Sequence, residues 1–317
     1  MSAEFAPSNV EIFAPARLHL GFLDLGSGLG RRFGSLGVTI AGFGTRLQLR
    51  PAASLQVAGP ARLETLVRRL MAALALPPAD ITLVEEIPVH AGLGSGTQLA
   101  LAVGMGLARL HGRPLTPRQV AVAAGRGARS GIGIAAFEQG GFLVDGGRGK
   151  NSATPPLLSR LPVPESWRWL LIFDPDFRGL HGECERQAFR QLPRYPRERA
   201  AAACHRLLMQ GLPALAEADF DAFSETLGWI QRANGDYFAP AQGGRYTSRR
   251  VAEALKCLEA QGWRGLGQSS WGPTGFCLFP DPESAAFEAR KLAASLGDCG
   301  LRFEVVASRN HGADWRL

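Results

Sequence analysis

Ile87-Pro88-Val89-His90-Ala91-Gly92-Leu93-Gly94-Ser95-Gly96-Thr97-Gln98 leaves a strand, crosses closely spaced glycines and runs into a helix. That layout describes a phosphate cradle. Glycines let the backbone approach an anion, and the free N–H groups and positive dipole end of a helix starting near Thr97 hold negative charge. No lysine follows the glycines, so this is not a P-loop of the GxxxxGK[ST] kind. Taken alone, the stretch reads equally well as an ordinary tight connection, and the rest of the chain has to decide.

At 317 residues the chain suits two domains. Its 46% hydrophobic and 20% charged residues are those of a globular protein. No uninterrupted apolar run of about 18 residues appears, so no membrane span is expected. The start Met-Ser-Ala-Glu-Phe-Ala lacks a basic region followed by an apolar one, which points to the cytoplasm. Five scattered cysteines with no CxxC pair indicate neither a disulfide frame nor a zinc site. The net charge is +7, and only three of the 35 basic residues are lysine. Arginine suits forked recognition of phosphate or carboxylate, although a compositional bias explains the count as well. The arginines are dispersed rather than clustered with stacking aromatics, so an anionic small molecule is a better partner than nucleic acid.

Periodicity places strands at Val10 to Ala14 and Thr45 to Arg50, joined by a glycine-rich connection from Gly21 to Gly37. An amphipathic helix follows at Arg62 to Leu76, a strand at Ile81 to Ile87, and a helix from about Thr97 to Leu110. Thr116-Pro117 caps a further helix reaching to about Arg129. Ala153-Thr154-Pro155-Pro156 marks the end of the first domain, which gives domains at 1–158 and 159–317. The second domain opens with a buried strand, Trp167 to Phe173, and a loop from Asp174 to Glu183. Helices are expected at Arg197 to Gln210, Phe220 to Arg232, Ser248 to Gln261 and Pro282 to Leu296, with strands at Gly275 to Phe279 and Leu301 to Ala307. This alternation is that of an α+β sandwich.

Two further segments carry chemistry. Ala14-Pro15-Ala16-Arg17-Leu18-His19-Leu20-Gly21-Phe22 puts a cation and an imidazole at a strand end, and Gly265-Leu266-Gly267-Gln268-Ser269-Ser270-Trp271-Gly272-Pro273-Thr274-Gly275 is a loop dense in glycine and hydroxyls. Three such segments at the start, middle and end of the chain resemble the GHMP superfamily of small-molecule kinases. The resemblance covers nearly the whole chain and implies a two-domain α+β fold. A ribosomal-S5-like N-terminal domain and a ferredoxin-like C-terminal domain would flank the active site.

The kinase pattern is broken at positions that matter. Arg17 stands where those kinases usually have lysine, Gly96 where the loop usually has a second, Mg²⁺-holding serine, and Gly133 where some carry an aspartate base. The substituted segments Gly92-Leu93-Gly94-Ser95-Gly96-Thr97-Gln98, Arg129-Ser130-Gly131-Ile132-Gly133 with Phe137 to Gly147, Arg178-Gly179-Leu180-His181-Gly182 and Gly267 to Thr274 resemble β-ribofuranosylaminobenzene 5′-phosphate synthase, a non-kinase branch of the fold. That family joins 4-aminobenzoate, or in some members 4-hydroxybenzoate, to 5-phosphoribosyl 1-diphosphate. CO₂ and diphosphate are released, on the way to tetrahydromethanopterin. An ATP-dependent kinase of the same fold is the alternative, and a non-catalytic ligand sensor or nucleic-acid binder a third reading.

The resemblance assigns Gly92 to Gln98 to the diphosphate, with helix capping as the other reading of Ser95. Arg17 and His19 contact phosphate or diphosphate, or else form a surface pair at a strand end. Asp24 is either an Mg²⁺ ligand or a turn aspartate, with Thr97 and Glu138 as companions in a metal site. Arg129 and Ser130, near a helix end, bind phosphate or compensate the helix dipole. Glu138 and Asp145 hold metal or steady positive charge at the ribose, or else satisfy a turn or ion pair. His181 and Glu183 join the site from the second domain, and Gln268, Ser269, Ser270 and Trp271 line the cleft, with Trp271 under the substrate's ring or simply buried. Mg²⁺ is expected and ATP is not. A homodimer is expected, with no nucleic acid and no membrane as partner.

Overall fold

The computed structural model describes residues 7–177, 192–270, 272–297 and 300–317. The first half contains β1 (Val10–Phe22), β2 (Arg31–Arg32), β3 (Ser35–Pro51), β4 (Gln56–Ala58), α1 (Ala61–Leu74), β5 (Ala79–Glu85), α2 (Ser95–Leu110), α3 (Pro117–Ala123), α4 (Ile132–Glu138), β6 (Phe142–Asp145), β7 (Arg148–Gly149) and β8 (Leu157–Leu161). Its main sheet runs β13-β1-β3-β5-β4, where β13 is Asp314–Arg316 from the far end of the chain, and β6 joins β3 and carries β8. The expected division after residue 158 therefore falls inside β8, and the last strand returns to the first sheet.

The second half contributes β9 (Arg168–Phe173), α5 (Arg197–Arg206), a π-helical turn (Leu207–Gly211), α6 (Leu212–Glu217), α7 (Phe220–Gln242), α8 (Arg249–Ala260), β10 (Leu266–Gln268), β11 (Gly275–Phe279), α9 (Pro282–Leu296) and β12 (Arg302–Ala307). Its antiparallel sheet has the order β10-β11-β9-β12. Numbered within this domain, that is strand order 2-3-1-4, the ferredoxin-like arrangement.

One irregularity positions the site. Along β1 and β3 the register jumps from Pro15 opposite Gly44 to Arg17 opposite Thr39, and shifts again between His19 and Gly21. A bulge exchanges the faces to which alternate residues point. Before it, Val10, Ile12 and Ala14 pack into the helical layer, with Leu63 and Val67 of α1 and Leu99 and Val103 of α2. Beyond it, Ala16, Leu18 and Leu20 enter a different core, shared with Trp169, Leu171 and Phe276 of the second sheet and Leu227 and Ile230 of α7. The opposite face of the second sheet is covered by α8 and α9 through Ile172, Leu255, Phe279 and Leu292. One core thus joins the two halves, and the end of β1 lies at their junction.

Several expectations change. α3 stops at Ala123 rather than near Arg129, because Gly125 and Gly127 take left-handed φ values of 65° and 79°. The helix expected at Arg197 to Gln210 passes through the π turn, next to Pro213, which has no amide to give the preceding turn. α7 continues ten residues beyond Arg232 to Gln242, through Pro240. The glycine-rich connection is shorter than Gly21 to Gly37, since β1 and β3 both extend into it. α4, rich in glycine and alanine, had no clear signal.

Candidate functional site

The free edge of β1 between Arg17 and Phe22 lies beyond the short β13 pairing, so its peptide groups need partners from elsewhere. They find them in three places. The Arg17 amide donates to the Leu93 carbonyl at 3.1 Å, and the Ser270 amide donates to the His19 carbonyl at 3.2 Å. The His19 amide donates to Ser269 Oγ at 3.0 Å, Gln231 Nε2 to the Leu20 carbonyl at 2.7 Å, and the Phe22 amide to Asn234 Oδ1 at 2.7 Å. Glycine loop, C-terminal loop and α7 are thereby gathered on one strand edge.

The two loops also hold each other. Ser269 Oγ donates to the Gly92 carbonyl at 2.7 Å and Thr274 Oγ1 to the Ala91 carbonyl at 2.6 Å. A Cβ at Gly92 would lie 2.5 Å from the Ser269 carbonyl oxygen, so only glycine allows this approach. Each loop keeps a non-glycine residue at positive φ, His90 at 63° and Ser270 at 58°. Such strained backbone collects where surrounding structure over-determines it. The three chemical segments recognised in the sequence are therefore one site, formed by residues as far apart in the chain as His19 and Ser270.

Gly94, at φ 89°, is the N-cap of α2, so Ser95 begins the helix and does not cap it by a side-chain bond. The amides of Ser95 and Gly96 face outward without intrahelical acceptors, as helix geometry requires. Over Gly94 lies Arg17, whose Nη1 donates to the Gly92 carbonyl at 2.5 Å. Its Nε is sealed from solvent with no acceptor. Burial pulls the guanidinium's pKa down to about 10, and it remains a cation at neutral pH. His19, two residues on, is 3% exposed, with neither ring nitrogen hydrogen-bonded. Burial, and then the charges of Arg17 and Arg129, push its pKa down to about 3, so it is neutral. The ring lies 4.6 Å from that of Phe22 and borders a small cavity, partly open to solvent, lined also by Gln231, Asn234, Gln242 and Gln268.

The remaining expected residues divide. Gln98 is buried and donates to the Gly133 carbonyl at 2.7 Å, tying α2 to α4. A Cβ at Gly133 would stand 3.0 Å from Thr97 Cγ2, so these two pack face to face. Arg129 and Ser130 do not end a helix. They precede α4, whose N-cap is Gly131. Ser130 Oγ lies 2.7 Å from Ser35 Oγ. Asp145, 1% exposed, accepts from Ser35 Oγ at 2.5 Å, the Gly131 amide at 2.8 Å and the Gly147 amide at 2.8 Å. Burial raises its pKa, against those hydrogen bonds. Its oxygens are committed to holding the Ser130–Gly131 turn. Gln268 accepts from the Thr247 amide at 2.8 Å and donates to the Ser270 carbonyl at 3.0 Å, shaping the C-terminal loop. His181, Glu183 and Trp271 lie outside the described residues.

The expected metal ligands do not converge. Asp24 Oδ1 accepts from the Gly26 and Ser27 amides at 2.7 and 2.6 Å, and Oδ2 from Ser27 Oγ at 2.6 Å, as in a turn aspartate. Glu138 closes α4 at the end away from Gly131, about 10 Å along the helix axis. It faces Arg118 at 4.0 Å, and burial raises its pKa, opposed by that arginine. Among the described residues no three acidic, histidine or cysteine side chains group as a metal site would require. Three participants escaped the sequence reading. Gln231 stands at the end of the helix expected to stop at Arg232 and Asn234 just beyond it, while Arg126 falls within the helix expected to reach about Arg129.

Comparison with known proteins agrees with this geometry. The family described as GHMP kinases N terminal domain matches residues 62–141, and GHMP kinases C terminal matches residues 212–298. Homoserine kinase from Cytophaga hutchinsonii superposes with a TM-score of 0.68 at 17% identity over 100% of both chains. Mevalonate-3-kinase from Thermoplasma acidophilum gives 0.70 at 11% identity, covering 98% of this chain and 99% of its own. These show the fold. In sequence, the β-ribofuranosylphenol 5′-phosphate synthase of Archaeoglobus fulgidus is 33% identical over 95% of this chain and 97% of its own length. That of Methanothermobacter thermautotrophicus is 29% identical over 95% and 97%. The chain has the two-domain α+β GHMP fold and belongs to the β-ribofuranosylphenol 5′-phosphate synthase family.

Proposed function

We propose that the chain condenses 5-phosphoribosyl 1-diphosphate with 4-hydroxybenzoate or 4-aminobenzoate, releasing CO₂ and diphosphate, as a step toward tetrahydromethanopterin. The observation carrying this reading is the contact of Gly133 with Thr97 beside the cradle. The place where the resemblance puts a kinase's base is filled by backbone and methyl, while the cradle itself is faced by a guanidinium. The site is equipped to receive an anion and not to deprotonate an alcohol. An ATP-dependent kinase is accordingly the less favoured reading.

In the proposed reaction the ring carbon bearing the carboxylate attacks C1 of the ribose as the C1–O bond to diphosphate breaks. The bond to the carboxylate carbon then breaks, CO₂ departs, and its electron pair restores the aromatic ring. No proton leaves that carbon, so no strong base is needed there. Arg17 and the amides at the start of α2 stabilise the charge that gathers on the leaving diphosphate. Neutral His19 offers a hydrogen bond without a full counter-charge, which leaves an adjacent carboxylate poorly stabilised and favours its loss. An α-configured donor yielding a β product inverts, in one displacement. Mg²⁺ belongs to this proposal as a counter-ion of the donor, not as an ion held by Asp24 and Glu138. Carboxyl-labelled 4-hydroxybenzoate and 4-aminobenzoate, each incubated with the donor and Mg²⁺ but no ATP, should release labelled CO₂ from at least one. Folded protein releasing none from either would end the reading, and phosphoryl transfer from ATP to a small alcohol would restore the kinase.

A further inference from the structure

We propose that Arg126, a residue outside the three chemical segments, forms with Arg17 a two-guanidinium clamp for the diphosphate group, and that Gly96 is glycine to admit it. Two independent placements support this. Arg17 reaches in from β1 and lies over Gly94, where a Cβ would meet its Cζ at 3.3 Å and its Nε at 3.4 Å. Arg126 reaches in from the α3–α4 connection and lies over Gly96, where a Cβ would meet Nη2 at 2.9 Å and Cζ at 3.2 Å. The two guanidinia thus cover alternate glycines of the turn that starts α2.

Among the described residues neither cation is neutralised: no carboxylate pairs with either, and the groups that perturb them are burial and, for Arg126, the further positive charge of Arg69. Arg17 Nε is buried with no acceptor at all. A guanidinium at the positive end of a 16-residue helix is unfavourable unless an anion completes the arrangement, and this helix start carries two. Two forked donors and two outward amides suit a ligand with several adjacent oxygens on two phosphorus atoms better than a single carboxylate. A side chain at position 96 would displace the far end of Arg126 without disturbing backbone, so glycine there serves the guanidinium's position more than the fold's stability.

The identity of the ligand as diphosphate rests on the function proposed above, but the clamp is tested by binding alone. Calorimetric titration of the full chain with inorganic diphosphate should show saturable binding. Arg126→Ala should weaken it by about tenfold or more, as loss of a charge-assisted pair does, and Arg126→Lys should fall between. Gly96→Ser should weaken binding by itself yet add little to Arg126→Ala, because both act on one guanidinium. Melting temperatures should stay near that of the parent. Arg290→Ala, on α9 of the second domain, controls for general charge and should leave binding unchanged. The clamp is refuted by an absence of diphosphate binding to the parent chain, by unaltered affinity in Arg126→Ala, by an equal loss in Arg290→Ala, or by additive losses in the double variant. Should binding behave as expected while no labelled CO₂ is released, the clamp stands and the proposed reaction falls.

Discussion

Gly92→Ala tests whether the loop-to-loop contact holds the two halves of the site together, with Gly112→Ala as its control. Gly92 has φ 80° and Gly112 φ 61°, so alanine meets left-handed backbone strain of about 1–2 kcal/mol at either position. Around Gly112 nothing lies within 4 Å of the new methyl, and strain is the whole effect. At Gly92 the methyl would stand 2.5 Å from the Ser269 carbonyl oxygen and 3.0 Å from Gly272 Cα. Those are backbone atoms and cannot rotate aside, so the loops must separate. Separation lengthens the hydrogen bonds from Ser269 Oγ to the Gly92 carbonyl and from Thr274 Oγ1 to the Ala91 carbonyl, at about 1 kcal/mol each. The expected destabilisation is about 3–4 kcal/mol for Gly92→Ala against about 1–2 kcal/mol for Gly112→Ala. Urea unfolding followed by tryptophan fluorescence measures both. Diphosphate affinity should fall only in Gly92→Ala, since the displaced carbonyl also accepts from Arg17 Nη1. Equal destabilisation by the two substitutions would show that the contact contributes nothing beyond backbone strain.

His19 gives the stability a pH dependence of definite sign. Its folded pKa of about 3 lies below the ordinary histidine value, so the unfolded chain takes up the proton first. Its contribution is complete above about pH 6.5 and is lost at about 1.4 kcal/mol per unit as pH falls below that. Between pH 7 and 5 the parent should lose about 2 kcal/mol more than His19→Gln, and parallel stability curves would show that the imidazole is not buried neutral. Asp145→Ala should cost about 2–4 kcal/mol, because it orphans the amides of Gly131 and Gly147 together. A loss below about 1 kcal/mol in chemical denaturation would mean that the turn before α4 does not depend on this carboxylate.

The elements that read correctly were those whose pattern is local. β11 at Gly275–Phe279 and α9 at Pro282–Leu296 have the expected bounds, the latter because Asp281 caps the helix and Pro282 opens it. α7 misled because Gln231 and Asn234 interrupt its apolar pattern. In the fold they are buried, and their side chains complete the edge of β1. Nothing within a window of a few residues distinguishes a polar pair that ends a helix from one that bonds a strand more than 200 residues away. The same holds for Asp24 and Asp145. An acidic residue in a glycine-rich loop looks like a ligand until its oxygens are counted, and here backbone amides and serine hydroxyls use them.

The register jump between β1 and β3 accounts for what the glycine motif alone could not say. Without the jump between Pro15 and Arg17, alternate residues would keep one side throughout, and Ala16 and Leu18 would continue the row of Val10, Ile12 and Ala14 into the helical layer. The jump sends Ala16, Leu18 and Leu20 into the core shared with the second domain, and the intervening Arg17 and His19 fall between the two cores, beside the glycine loop. A strand pairing fully on both edges would have no free peptide groups there. Because β13 covers only Glu11 to Phe13, the edge from Arg17 onward is left for Leu93, Ser269, Ser270, Gln231 and Asn234. Binding residues from opposite ends of the chain are thus assembled by the ordinary requirement that buried peptide groups be satisfied. Substitutions at Gly96 and Gly133 can then change which groups face the cradle without altering how it is assembled. That separation explains how one fold is shared by chains named as kinases and by chains named as synthases.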